Sequence, residues 1–389
     1  MALGTASFTG DALMPPAGLG LLGAPVEVLD AVRRSFWRVA TRLRLGRRCA
    51  ADVDARLTAI TAGHLTVSLT LTILFPAAML LFGPLLLGAP HVLSDLRFLV
   101  ARPLRHGSRA FRWQLGLVIV AVAVMVIGRT ASLVGVRLPA AFDPVVGAAG
   151  VGLAALFGLV SRGLSLRTIG TTALAAGLFV VAWQAPRETQ LTFAHGHNVV
   201  AIGTFVVLAL KRRWFGVTGT LLVGVAAGVT VLGSGMLDES MLTTGRWDEP
   251  LLGLSVASLS TVLAPEWPGM WPFRIVMIYA FAQAVHYVCW LRLTPTALSP
   301  RTAPASFARS FRALRSDFGM AGLLVGLGLC MLVPALAALD AEQTRNTYLT
   351  LAGFHGWLEL AVFALLLSRG DTALLGGKDA MAVGVEVAL

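Results

Sequence analysis

Five of the chain's seven histidines lie inside long apolar stretches, and two of them carry a carboxylate four residues further on. They are His91 with Asp95, His195, His197, His286, and His355 with Glu359. An i,i+4 pair shares one face of a helix, so each carboxylate stands beside its histidine. A metal-bound imidazole commonly hands its second N–H to a carboxylate, which fixes the tautomer. A charged Asp at the centre of a membrane helix costs roughly 2.5–3.5 kcal/mol on insertion scales, and chains that keep such groups use them for ion paths or proton relays. The pattern predicts His91, His195, His197, His286 and His355 as metal ligands, with Asp95 and Glu359 as orienting partners or direct ligands.

Two details qualify the set. His195 and His197 stand about 200° apart on a regular helix, so both reach one ion only if the helix is irregular at Gly196. Otherwise one ligates and the other points elsewhere. The same groups also fit a proton relay in an ion-coupled carrier, or bis-histidine haem ligation by His91 and His355. Scattered hydrogen bonding between helices is the plain alternative. His64 is a weaker candidate, and His106 lies in a basic loop with Arg102, Arg105 and Arg109.

The elements that must position these groups are membrane helices. Of 389 residues, 56% are hydrophobic and only 13% charged, about half the charged share of a soluble domain. Apolar stretches long enough to cross the bilayer run over about 65–83, 86–102, 113–129, 144–161, 168–184, 190–210, 215–235, 274–291, 319–339 and 346–367. The fold class expected is an all-α polytopic bundle of ten helices. An eleventh stretch, 250–264, is bounded by prolines and is expected to be re-entrant or interfacial. The expected organisation is an N-terminal segment 1–56, a transmembrane domain 57–368 and a tail 369–389.

Net charge is +11, carried almost wholly by arginine, since lysine occurs only at 211 and 378. The basic residues fall in alternate connecting segments, as the positive-inside bias requires of a chain with both termini cytoplasmic. This pattern, with no nucleic-acid-reading motif, excludes nucleic acid as the partner and leaves membrane lipids and a lipophilic small molecule. A composition rich in Ala, Gly, Leu and Arg points to a bacterial inner membrane. Residues 26–48 space Leu29, Val32, Phe36, Val39 and Leu43 on one face of a basic amphipathic helix suited to an anionic membrane surface. Cys49, Cys289 and Cys330 show no paired spacing. Small residues four apart, as at Gly224–Gly228 and Gly322–Gly326, predict close helix packing.

Counted from the far ends of their spans, the five histidines fall roughly 7–18 Å deep, in one slab about 10 Å thick. Shared depth is a necessary condition for one site. The segment GAPHVLSDLRFL, from Gly88 to Leu99, resembles the G-x-P-H-G-x-x-D signature of the bacterial carotene-cleaving membrane oxygenases, the Brp/Blh-like proteins. Gly88, Pro90, His91 and Asp95 match, and Val92 stands where that family has glycine. The resemblance implies one iron held by histidines from several spans and used with O₂ to split a polyene. His195 and His197 would then supply the later ligands, and His286 or His355 would complete the set. The functional expectation is a metal-dependent oxidoreductase, with iron as cofactor, acting on an isoprenoid or lipid. Copper or zinc would accept the same donors.

Overall fold

The computed structural model describes residues 23–300 and 303–370; the rest of the predicted tail and residues 1–22 lie outside the described part. The chain is an all-α polytopic bundle, with ten helices among the described residues long and apolar enough to cross a membrane. Two short helices, α1 (Gly23–Ala40) and α2 (Arg44–Ala51), precede the bundle. The spans follow as α3 (Val53–Leu74), α4 (Pro76–His106), α5 (Arg109–Leu133), α6 (Phe142–Arg162), α7 (Leu166–Gln184), α8 (Pro186–Lys211) and α9 (Phe215–Gly233). After the short α10 (Asp238–Thr243) and α11 (Val256–Leu263) come α12 (Trp271–Leu298), α13 (Phe307–Ala337) and α14 (Ala341–Arg369).

The number of spans matches the hydropathy reading, but the first boundary moves. The chain breaks at Phe75 (φ −140°, ψ 60°), directly before Pro76, because the residue preceding proline is driven out of the helical region. Pro84 does not end a helix; it lies in a widened π-helical turn, Gly83–Gly88. The first span therefore starts at Val53, and the expected boundary at 56/57 falls inside it. The expected amphipathic helix over 26–48 is also interrupted, by a turn at Thr41–Leu43 that separates α1 from α2. The apolar stripe survives in α1, where Leu29, Val32, Phe36 and Val39 are all exposed. As expected, 250–264 makes no crossing, for its helix has only eight residues, about 12 Å of rise.

Glycines bring the spans together. Gly224 and Gly228 of α9 seat Leu65 and Phe281, and Gly326 of α13 seats Leu93, each so closely that a Cβ would collide or crowd. Such contacts give dispersion without a hydrophobic drive, as packing in lipid requires. α12 and α14 are the most enclosed spans, 72% and 61% buried, whereas α13 is 11% buried. The candidate site lies on the enclosed helices.

Candidate metal centre

Four spans running in the same direction, α4, α8, α12 and α14, carry the cluster. His91 lies 15 residues from the start of α4, His197 11 into α8, His286 15 into α12 and His355 14 into α14, so all sit roughly 16–23 Å along their helices. Starting the spans earlier than hydropathy alone suggests makes the depths more alike. The rings adjoin, with centroid separations of 4.8 Å for His91–His355, 5.1 Å for His91–His286, 5.0 Å for His197–His286 and 5.6 Å for His197–His355. Gly356 permits this, since a Cβ there would lie 2.8 Å from Phe193 and 3.4 Å from the Cβ of His197.

The helix backbone around the site is unusual. Three π-helical turns flank the ligand-bearing segments: Gly83–Gly88 before His91, Leu96–Ala101 after Asp95, and Cys289–Leu293 after His286. π turns are rare and occur often at functional sites. Here they rotate the segments between them relative to an unbroken helix, which no periodicity in the sequence reveals.

Hydrogen bonds set the tautomers. The Nδ1 of His91 meets the Leu87 carbonyl at 3.3 Å, that of His197 the Phe193 carbonyl at 3.2 Å, and that of His355 the Ala352 carbonyl at 2.5 Å. A carbonyl only accepts, so each Nδ1 carries the proton and each neutral ring keeps a lone pair on Nε2. Yet the Nε2 atoms of His91 and His355 lie 3.1 Å apart. Two lone pairs at that distance repel unless a cation lies between or beside them. With metal–nitrogen bonds of about 2.1 Å, neighbouring ligand atoms fall roughly 3.0 Å apart at right angles and 3.4 Å apart in a tetrahedron. The observed separation falls within the range that two ligands on one ion would have.

Further donors converge there. Among the described residues neither nitrogen of His286 has a hydrogen-bond partner, and the carboxyl groups of Asp95 and Glu359 face each other, with Trp290 beside Glu359. His286, Asp95 and Glu359 are 1%, 1% and 0% exposed, so bulk solvent does not reach them. Ligand atoms of His91, His286 and His355 all lie within 4.8 Å of one another, and so do those of Asp95, His355 and Glu359. These two triads share His355 and constitute a group that could hold a metal ion.

The predicted residues are thus sorted. His91, His197, His286 and His355 come together, with Asp95 and Glu359 beside them. His195 does not join, because α8 is regular through Gly196. Its Nε2 bonds the Leu263 carbonyl at 2.8 Å, and its ring meets Tyr279 edge-on. His64 likewise serves a carbonyl, that of Ala284. The orienting role expected of Asp95 and Glu359 belongs instead to the backbone carbonyls of Leu87 and Ala352, because a helical side chain leans toward the preceding turn. That frees both carboxylates to act as direct ligands.

An aromatic shell closes the site. Tyr287 lies 4.8 Å from the His91 ring, and Phe193 stacks on Trp357 at 4.1 Å. The sequence reading missed Tyr348, whose ring covers Gly88 and whose buried hydroxyl has no partner. Its signal was available: it lies seven residues before His355, on the same helical face, and is one of three tyrosines in the chain. Buried Asn198, with its Oδ1 unpaired, gave none. No protein-family model, curated protein or solved structure matches the chain.

Proposed function

We propose that the protein is a membrane-embedded, metal-dependent oxidoreductase that acts on a lipophilic substrate of the isoprenoid or lipid class. The observation that carries this is the pair of Nε2 lone pairs facing each other at 3.1 Å, each tautomer held by a backbone carbonyl. A shared proton would relieve that pair alone. It would leave His286 unsatisfied, whereas each of the two triads that share His355 offers a metal ion three donors. Mixed imidazole and carboxylate donors favour non-haem iron, which with an open position supplies O₂ activation. Zinc and copper accept similar donors. The residues' own work is then clear: carbonyls lock the rings, the carboxylates lower the charge of the site, and the aromatic shell excludes water and offers an apolar surface to the substrate.

The resemblance of the Gly88–Asp95 segment to the carotene-cleaving oxygenases supports a polyene among the substrates. Bis-histidine haem ligation fits less well, since an iron between opposed Nε2 atoms requires about 4 Å of separation, against 3.1 Å here. The arginine-rich connections support an inner-membrane location with both ends cytoplasmic. The test is oxygen uptake by iron-loaded protein in mild detergent, given carotenoid or unsaturated lipid. Uptake that disappears in His286→Ala supports the reading. Metal-free protein that instead moves protons across liposomes, and stops in Glu359→Gln, would replace it with the ion-coupled carrier.

A further inference from the structure

A second feature lies at the arginine-rich end, apart from the histidine cluster. A cavity of about 420 Å³ opens between α4, α12 and α13, within the roughly 300–1,000 Å³ of small-molecule sites. Pro90, Leu93, Ser94 and Arg97 of α4 line it, on a face turned away from His91 and Asp95. One wall is basic, with Arg56, Arg97, Arg102 and Arg292; the other is apolar, with Leu323 and Leu327 among its residues.

Asp317 serves both Arg97, at 2.5 Å, and Arg102, at 3.0 Å. Among the described residues no carboxylate lines the cavity itself. The Arg292 side chain makes no hydrogen bond or ion pair among the described residues, although it borders the cavity and repels Arg56. Arg56 is itself 4% exposed and directs Nη1 to the Cys49 carbonyl. Guanidinium groups from α3, α4 and α12 therefore line one cavity, with Asp317 shared by Arg97 and Arg102 and Asp52 beside Arg56.

Such a site asks for an anion with several oxygens, and phosphate offers more acceptors than a carboxylate to groups arriving from three directions. The apolar wall asks for hydrocarbon on the same molecule. That wall belongs to α13, the least buried span, whose backbone breaks at Gly319 (φ 73°, ψ 176°). The break turns the polar stretch Phe307–Phe318 away from the apolar stretch that follows, and residues of both parts line the cavity.

We infer that this cavity binds one phosphate-bearing lipid, its headgroup on Arg292, Arg56 and Arg102 and its chain against Leu323 and Leu327. The site is independent of the metal centre. Delipidated full-length protein in mild detergent is titrated by native mass spectrometry with phosphatidic acid, diacylglycerol or inorganic phosphate. One phosphatidic acid should bind well below the concentration at which either other probe does. Arg292→Gln should weaken that binding about tenfold or more while leaving diacylglycerol binding and metal content unchanged. Ala313→Trp, which places a bulky side chain in the cavity, should abolish phosphatidic acid binding and leave the metal in place. Equal binding of diacylglycerol would reduce the cavity to an apolar groove. Equal binding of inorganic phosphate would show an anion site with no lipid, and unaltered lipid binding in Arg292→Gln would also overturn the inference.

Discussion

Replacing Glu359 by leucine should have opposite effects on the metal-free and metal-loaded protein. Glu359 is 0% exposed, and its carboxyl group faces that of Asp95 inside the bundle. A buried polar group left short of hydrogen bonds costs about 1–3 kcal/mol, so chelator-treated Glu359→Leu should be more stable than wild type by about 1–3 kcal/mol. With metal at one hundred times its dissociation constant, wild type gains about 2.7 kcal/mol. Losing a direct carboxylate ligand should raise that constant by about a hundredfold or more, which shrinks the gain to about 0.4 kcal/mol at the same metal concentration. Thermal unfolding in detergent, with chelator and with added Fe²⁺ or Zn²⁺, reads both numbers. A variant that is destabilised without metal, yet keeps the full metal-induced shift, would refute the reasoning.

Other outcomes follow from particular contacts. Gly356→Val should drive Phe193 off Trp357 and separate α8 from α14, costing about 1–3 kcal/mol by overpacking and lowering metal affinity in titration. His195→Phe should leave metal content unchanged, since His195 serves Leu263 and Tyr279, whereas His197→Phe should weaken retention; elemental analysis of both checks it. Asp30 on α1 accepts from the Phe307 and Ala308 N–H groups and pairs with Arg33. Burial alone would raise its pKa, but those two N–H groups and Arg33 outweigh it and hold the carboxyl below its ordinary value. Its stabilising share is therefore full above about pH 4 and lost as pH falls through the depressed value. Hydrogen exchange at Phe307 and Ala308 should be protected equally at pH 7 and pH 5, once intrinsic rates are divided out, and deprotected near pH 3.

Much of this architecture is legible in the chain because hydropathy and arginine placement act over whole spans. The ten crossings and the non-crossing 250–264 stretch depend on length and composition, which local detail barely disturbs. The failures are local. The boundary expected between 83 and 86 is absent, since a π turn carries the helix through Pro84, and the break falls at Phe75 instead. A period of 3.6 residues shows that His195 and His197 diverge without saying which faces the partner helices. Spacing also pairs each histidine with the carboxylate four residues later, yet the side chains lean toward the preceding turn and find carbonyls there. Tyr348 went unseen because it is brought to the site by contact with Gly88 on another span. What the sequence could not supply was adjacency in the membrane plane, and that is what turns separate histidines into a donor set.

The most direct test is elemental analysis of full-length protein purified in mild detergent after mild acid stripping and reloading. Bound metal should approach about one ion per chain, with no haem band, and fall to background in His355→Ala, because His355 belongs to both triads. A folded wild-type protein that retains no more metal than His355→Ala would contradict the metal centre and leave the cluster as a set of protonatable groups.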